Sequence, residues 1–248
     1  MKGQEMLTKD ELKERAIRFY SRYGKEVEQI KDLLEIKLKQ ICLAYTIQNN
    51  LPPEALVVGA RCKSLDSFLK KMERKNWPQF YYPTEVVTDL IGARITSWFL
   101  DDCSGILEYI KKSSHFEIVG NSIENYINNP KRSGYRGLHL LTNITYDSVQ
   151  RNEKGVISVK PEKMICEIQI RTKLQDAWGD ITHEFHYKAK NLGVDDKNLE
   201  DFLSDISDRL LQEDRTLIKF RNVYQTLADN KQKSGKREGF KDDDSMMK

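Results

Sequence analysis

Apolar residues recur at helical spacing near the start of the chain: Leu12, Ala16, Tyr20, Val27, Ile30, Leu34, Leu38 and Ile41. Thr8 and Glu11 stand ahead of them as the N-cap and N3 of a capping box, and Pro52 and Pro53 in "NNLPPEAL" end the pattern. The spacing predicts one long amphipathic helix, with a second helix over 64–75. The period then changes. "TDLIGARITSWF" is rich in β-branched and aromatic residues and reads as a strand, and "CSGILEYIKKSSHF" as a helix. "GYRGLHLLTNITY" and "MICEIQIRT" read as strands with the turn "RNEKG" between them. "KLQDAWGDITHEFHYKAK" predicts a helix, and residues 198–230 predict one long helix or two. The order of elements predicts an α/β (α+β) domain, a mixed sheet with helical cover. The expected organisation is an N-terminal helical region over 1–52, a core over 53–190, C-terminal helices over 191–230 and a polar, disordered tail over 231–248. No internal repeat is present.

Alternation sorts the strand residues onto two faces. Cys166, Ile168 and Ile170 point one way, and Glu167, Gln169 and Arg171 the other. Leu138, Leu140 and Ile144 share a face opposite His139, Leu141 and Asn143. Arg94, Thr96 and Trp98 oppose Ala93, Ile95 and Ser97. Each strand therefore has a side carrying polar groups, which one sheet would gather into a site or simply turn to water.

Composition narrows the class. Of 248 residues, 39% are hydrophobic and 32% charged, as in soluble globular proteins. No apolar run is long enough to cross a membrane, and the charged N-terminus lacks the apolar core of a secretory signal. Cys42, Cys62, Cys103 and Cys166 are scattered, with no CxxC pair, which argues against a zinc site or disulfide framework and for a reducing cytoplasm. The net charge of +3 is too small to mark a nucleic-acid binder. The cations are unevenly placed, however, and crowd into 61–75 and 131–136.

Those clusters carry the candidate chemistry. In "RCKSLDSFLKKMER", Ser67, Lys71 and Arg74 share a helix face, with Arg61 and Lys63 at or before the helix start. Cations and a hydroxyl at a helix N-terminus suit a polyphosphate, although a solvated basic face has the same pattern. Asp89 begins one predicted strand and Glu167 lies within another. Carboxylates beside a polyphosphate imply an intervening Mg2+ or a base for an attacking hydroxyl. Tyr135, framed by Lys131, Arg132 and Arg136 and flanked by Gly134 and Gly137, suits stacking on a base. Together these features read as a nucleotide-handling enzyme or binding module.

Four motifs, "RCKSLDSFLKKMER", "DLIGARI", "NPKRSGYRGLHL" and "EIQIRT" followed by "AWGDITHEFHYK", occur in the order found in the synthetase domain of the RelA/SpoT family. They span about residues 61–188, and the chain resembles the small alarmone synthetases most. The resemblance implies a nucleotidyltransferase-like mixed sheet and Mg2+-dependent transfer of the β,γ-pyrophosphate of ATP to the 3′-OH of GDP or GTP, releasing AMP. It implies that Arg61 and Arg94 sandwich the adenine, and that Lys63, Ser67, Lys71 and Arg74 hold the ATP phosphates. Asp89 would bind Mg2+, and Glu167 would share the metal or activate the 3′-OH. Tyr135 would stack on the acceptor guanine, with Lys131, Arg136, His139, Asn143 and Gln169 around the acceptor. It also implies a cytoplasmic homo-oligomer, such as a tetramer, joined through C-terminal helices that carry the stripe Leu199, Phe202, Ile206, Leu210, Leu217, Phe220 and Tyr224.

Three departures from the family pattern stand out. Arg132 replaces a proline, Gly137 a serine and Gly179 an alanine. The four histidines form no HD hydrolase motif, so alarmone degradation is not expected. His183 and His186, at i and i+3, lack an evident third metal ligand. Two alternatives stay open. A toxic relative would modify the tRNA 3′-CCA end or make adenosine alarmones, using Arg132, Arg136, Lys188 and Lys190 as a basic surface. A catalytically silent nucleotide sensor would keep the fold alone.

Overall fold

The structure, a computed structural model, describes residues 6–191 and 197–239. Helix α1 runs over Lys9–Gln48. Its start is fixed by the expected capping box, in which the Thr8 amide donates to Glu11 Oε2 at 2.7 Å and the Glu11 amide to Thr8 Oγ1 at 3.3 Å. A single 3-10 turn, Pro53–Ala55, leads into β1, Leu56–Cys62, and then α2, Leu65–Arg74. Strand β2 is Ile91–Ser97 and α3 is Leu100–Lys112. Two short strands follow, β3 at Glu117–Ile118 and β4 at Glu124–Asn125. The long hairpin β5, Leu138–Arg151, and β6, Ile157–Thr172, leads into α4, Lys173–Asn191, and α5, Lys197–Gly239.

The sheet is mixed, in the order β1-β2-β6-β5-β3, with β4 also on β5. Only the β2–β6 pair is parallel. The apolar face is the one that alternation predicts. Ala93, Ile95, Leu138, Leu140, Ile168 and Ile170 pack there under α1 and α3, against Leu34, Leu38, Ile106 and Ile110. Leu34 and Leu38 are wholly buried, and truncating either to alanine is expected to cost about 2–5 kcal/mol. A second cluster, Leu12, Ala16, Phe68, Met72, Phe80 and Val87, seats α2 against the first turns of α1. Helices α1 and α3 thus cover the apolar face, while α4 borders the polar one, where its Asp176 accepts from Thr96.

Two expectations are adjusted, and one group of residues lies outside the description. Strand β1 lies where the sequence suggested only the approach to a helix, because Gly59 and Arg61 interrupt its alternation. Residues 198–230 form one helix, and it continues to Gly239, past the expected end at 230. The side chains of His183, His186, Lys188 and Lys190 lie outside the described residues.

Candidate active site

Strand register orders the polar face. Arg94 on β2 faces Gln169 on β6, which faces His139 on β5. In the next row Arg61 on β1 faces Gly92, and Gly92 faces Glu167. Gly92 leaves that row open, since a Cβ there would meet only the Glu167 carbonyl, 4.0 Å away. Arg61 and Arg94 are diagonal neighbours, roughly 7–8 Å apart by strand geometry. Arg61 is exposed, while Arg94 Nη1 is held by Asp176 at 2.9 Å and Asp180 at 3.1 Å.

The basic segment surrounds a carboxylate. Ser64 caps α2 by accepting from the Ser67 amide, and its hydroxyl donates to Ser67 Oγ at 2.9 Å. Lys63, just before the helix, lies 2.9 Å from Asp89 Oδ2, and Lys71, two turns in, lies 2.7 Å from Asp89 Oδ1. Asp89 stands two residues ahead of β2, not at its first position. Burial alone would raise its carboxyl, but the hydrogen bonds and charges of Lys71 and Lys63 outweigh that and hold it below the usual range. Arg74 is exposed at the far end of α2.

Glu167 is the second carboxylate. Burial pushes it up, the hydrogen bonds from His139 and the Gln169 amide pull it down, and the net direction is down. His139 Nδ1 is 3.1 Å from Glu167 Oε1, and Gln169 Nε2 is 3.0 Å from Oε2. With Nδ1–H donating to the carboxylate, Nε2 is free to accept from the Tyr135 hydroxyl beside it. Burial raises the Tyr135 hydroxyl, so it keeps its proton for that bond.

Tyr135 sits beside His139, at the β5 end of the face. The rings of Tyr126 and His139 meet it edge-on, each with centroids under 6 Å away (5.9 and 5.3 Å). Lys131 Nζ lies 4.4 Å from the Tyr126 centroid and 5.3 Å from that of Tyr135. The Arg171 guanidinium covers one face of Tyr135 at 4.7 Å, and its Nη2 donates to Gln169 at 2.6 Å. A Cβ at Gly179 would come within 2.8 Å of Arg171 Nη1, and one at Gly137 within 3.2 Å of Arg171 Cγ and 3.1 Å of the Tyr135 hydroxyl. Two of the three departures from the family pattern therefore make room for the same Arg171–Tyr135 stack.

Most predicted site residues converge, but two do not. Arg136, expected at the acceptor phosphates, is buried. Its guanidinium donates to the Ile127 carbonyl and pairs with Asp208 on α5, so it faces away from the site. Asn143 shares the polar face, but its register partners are Glu117 and Ile165, two rows along β5 from the His139–Gln169 pair. Sequence reading put Arg171 on the polar face without giving it a role. It missed Tyr126 and Asp176, which nearby β4 and α4 bring to the site.

Residues 60–192 match the family described as a region found in RelA / SpoT proteins. The chain belongs to the RelA/SpoT family. GTP pyrophosphokinase YjbM of Bacillus subtilis (strain 168) is 33% identical over 171 residues, covering 69% of this chain and 72% of that protein. GTP pyrophosphokinase YwaC of the same organism is 30% identical over 162 residues, covering 64% and 71%. Among solved structures, small alarmone synthetase 1 of Bacillus subtilis bound to its product pppGpp superposes with a TM-score of 0.67 at 26% identity, over 84% of this chain and 98% of that one. The RelA/SpoT match begins within β1 and runs through the end of α4, so it contains the site residues described above, from Arg61 to Asp180.

Proposed function

We infer that this protein is a (p)ppGpp synthetase, transferring the β,γ-pyrophosphate of ATP to the ribose 3′-hydroxyl of GDP or GTP. The observation that carries the reading is one sheet face with Asp89 between two lysines, Glu167 backed by a histidine, and a tyrosine set among cations beyond. Arg61 and Arg94 clamp the adenine. Lys63, Ser67, Lys71 and Arg74 gather the triphosphate. Tyr135 stacks on the guanine, and Lys131 meets the acceptor phosphates. Glu167, kept ionised by His139 and Gln169, accepts the proton of the 3′-hydroxyl. The new bond joins O3′ to the β-phosphorus. The α,β-bridging bond breaks, and its oxygen leaves on AMP. Positioning and neutralisation of charge supply most of the catalysis.

Mg2+ fits the donor set. Among the described residues no cluster of three or more His, Cys, Asp or Glu forms a protein-only metal cage. Two carboxylates, Asp89 and Glu167, are what Mg2+ takes when phosphates complete its shell. When bound, it neutralises charge on the triphosphate. Lys63 and Lys71, which pair with Asp89 here, would be the cations nearest those phosphates.

The tRNA-modifying alternative needs a basic surface beside the acceptor site. Arg136 is buried and Arg132 pairs with Glu200 at 3.1 Å, which weakens that surface. The reading places the enzyme in the cytoplasm with its nucleotides, and no helix among the described residues is long and apolar enough to cross a membrane. Phe202, Leu217, Phe220 and Tyr224 of the α5 stripe are exposed, which supports a homo-oligomer joined through this helix.

The test is incubation with γ-32P-ATP, Mg2+ and, in parallel, GDP, GTP, ADP or deacylated tRNA. Label on GDP or GTP is expected. Label on tRNA or ADP alone overturns the acceptor assignment, and no transfer to any acceptor overturns the enzyme.

A further inference from the structure

The loop before β5 has side chains that alternate between two neighbours. Lys131 and Tyr135 turn to Tyr126 and the site. Arg132, Gly134 and Arg136 turn to α5. Arg132 pairs with Glu200, the Ser207 hydroxyl donates to the Gly134 carbonyl, and Arg136 pairs with Asp208. Gly134 has φ +82°, and a Cβ there would fall 2.7 Å from Ser204 Cα, so only glycine lets the loop lie this close to the helix. Glu200, Ser204, Ser207 and Asp208 follow the i, i+4, i+7, i+8 spacing of a single helix face. The loop is also closed on itself, by Gly134 N–H to the Lys131 carbonyl at 2.8 Å and Lys131 N–H to the Tyr135 carbonyl at 3.2 Å.

We propose that α5 positions the acceptor loop, with Asp208, Ser207 and Glu200 holding Arg136, Gly134 and Arg132 so that Tyr135 and Lys131 face the acceptor purine nucleotide. This rests on the reading of Tyr135 as the purine platform. None of the three α5 side chains reaches the sheet face, so they are positioning residues and act through the loop. Asp208 is the principal one. The Arg136 side chain is only 7% exposed, and its Nε has no hydrogen-bond partner. Without Asp208 the buried guanidinium keeps one carbonyl as its only hydrogen-bond acceptor among the described residues, and an under-neutralised buried charge drives the segment that carries it toward water. The ATP side of the face, on β1, α2 and β2, makes no use of this clamp.

The test compares the full chain with its Asp208→Asn, Asp208→Glu and Glu200→Gln forms, by hydrogen exchange and by steady-state kinetics. In Asp208→Asn the amides of Lys131 and Gly134 are expected to exchange about tenfold faster, the effect of losing one charge-assisted hydrogen bond, while those of Leu140–Ile144 stay unchanged. The KM for GDP is expected to rise about tenfold, with kcat at saturating GDP and the affinity for a non-hydrolysable ATP analogue held. Asp208→Glu restores both readouts, and Glu200→Gln, at a more exposed pair, gives a smaller change in the same direction. Unchanged loop exchange in Asp208→Asn overturns the proposal, as does a loss of ATP affinity that keeps step with the loss for GDP. If the unaltered protein transfers nothing to guanine nucleotides, the function proposed above fails, and the exchange data still decide whether α5 holds the loop.

Discussion

Glu167 and Arg171 sit two positions apart on the same strand face and serve the site differently. In the proposed reaction Glu167 is the base and its neighbours keep it ionised, so Glu167→Gln is expected to lower kcat by about 10²–10⁴-fold with the fold intact. Its carboxyl and that of Asp89 both lie below the usual carboxylate range. Neither should therefore impose a fall in kcat/KM between pH 6 and 8, and a profile that drops with an apparent pKa in that window would contradict the role given to Glu167. Arg171 is tested through its neighbour. Gly179→Ala places a methyl group 2.8 Å from Nη1, the far end of a side chain able to shift, so stability should change little. The stack on Tyr135 should weaken, and the KM for GDP should rise roughly three- to tenfold, the weight of a cation–π contact. An unchanged KM would remove Arg171 from the acceptor site.

At the scale of elements, the junction of β6, α4 and α5 contains a buried acid. Asp214 on α5 accepts from Thr172 at 2.8 Å, but its other oxygen has no partner. Burial pushes its carboxyl up to about 6 from an ordinary 3.8, against smaller opposing effects of Thr172 and Gln175. The folded chain thus holds this proton more tightly than the unfolded one. The contribution to stability is complete below about pH 4, falls as pH rises to about 6, and is flat above. Asp214→Asn should remove that slope and stabilise the fold by roughly 1–3 kcal/mol at pH 7, as denaturant melts at pH 4, 5, 6 and 7 would read. The elements themselves were largely legible in the sequence. The capping box of α1, the alternation of β2, β5 and β6 and the helical period of α3 and α4 are local signals, and packing agrees with them. Strand β1 was not legible, because Gly59 and Arg61 weaken its pattern and its pairing with β2 is a long-range contact. Arg136 was misread for a related reason. Its local sequence shows a cation beside an aromatic, whereas its partner Asp208 is 72 residues away in the chain.

For the whole molecule, α1 and α3 cover one face of the sheet, the polar candidate site occupies the other, and α5 runs behind the Tyr135 loop and beyond it. Past the clamp, Leu217, Phe220, Tyr224 and Leu227 are exposed at alternating three- and four-residue spacing, the seam that packs helix on helix. Light scattering on the purified protein should give the mass of more than one protomer, and Phe220→Lys with Leu227→Lys should reduce it to one. A lone protomer without substitution would contradict the seam. The central claim is that one sheet face moves pyrophosphate as a unit from ATP to a guanine nucleotide. Phosphorus NMR of a reaction with ATP, Mg2+ and GDP reads this directly. The account predicts one AMP for each GDP consumed and a new diphosphate on the 3′ oxygen. ADP with inorganic phosphate, or GTP formed from GDP, would mean that the γ-phosphate moves alone, and would contradict it.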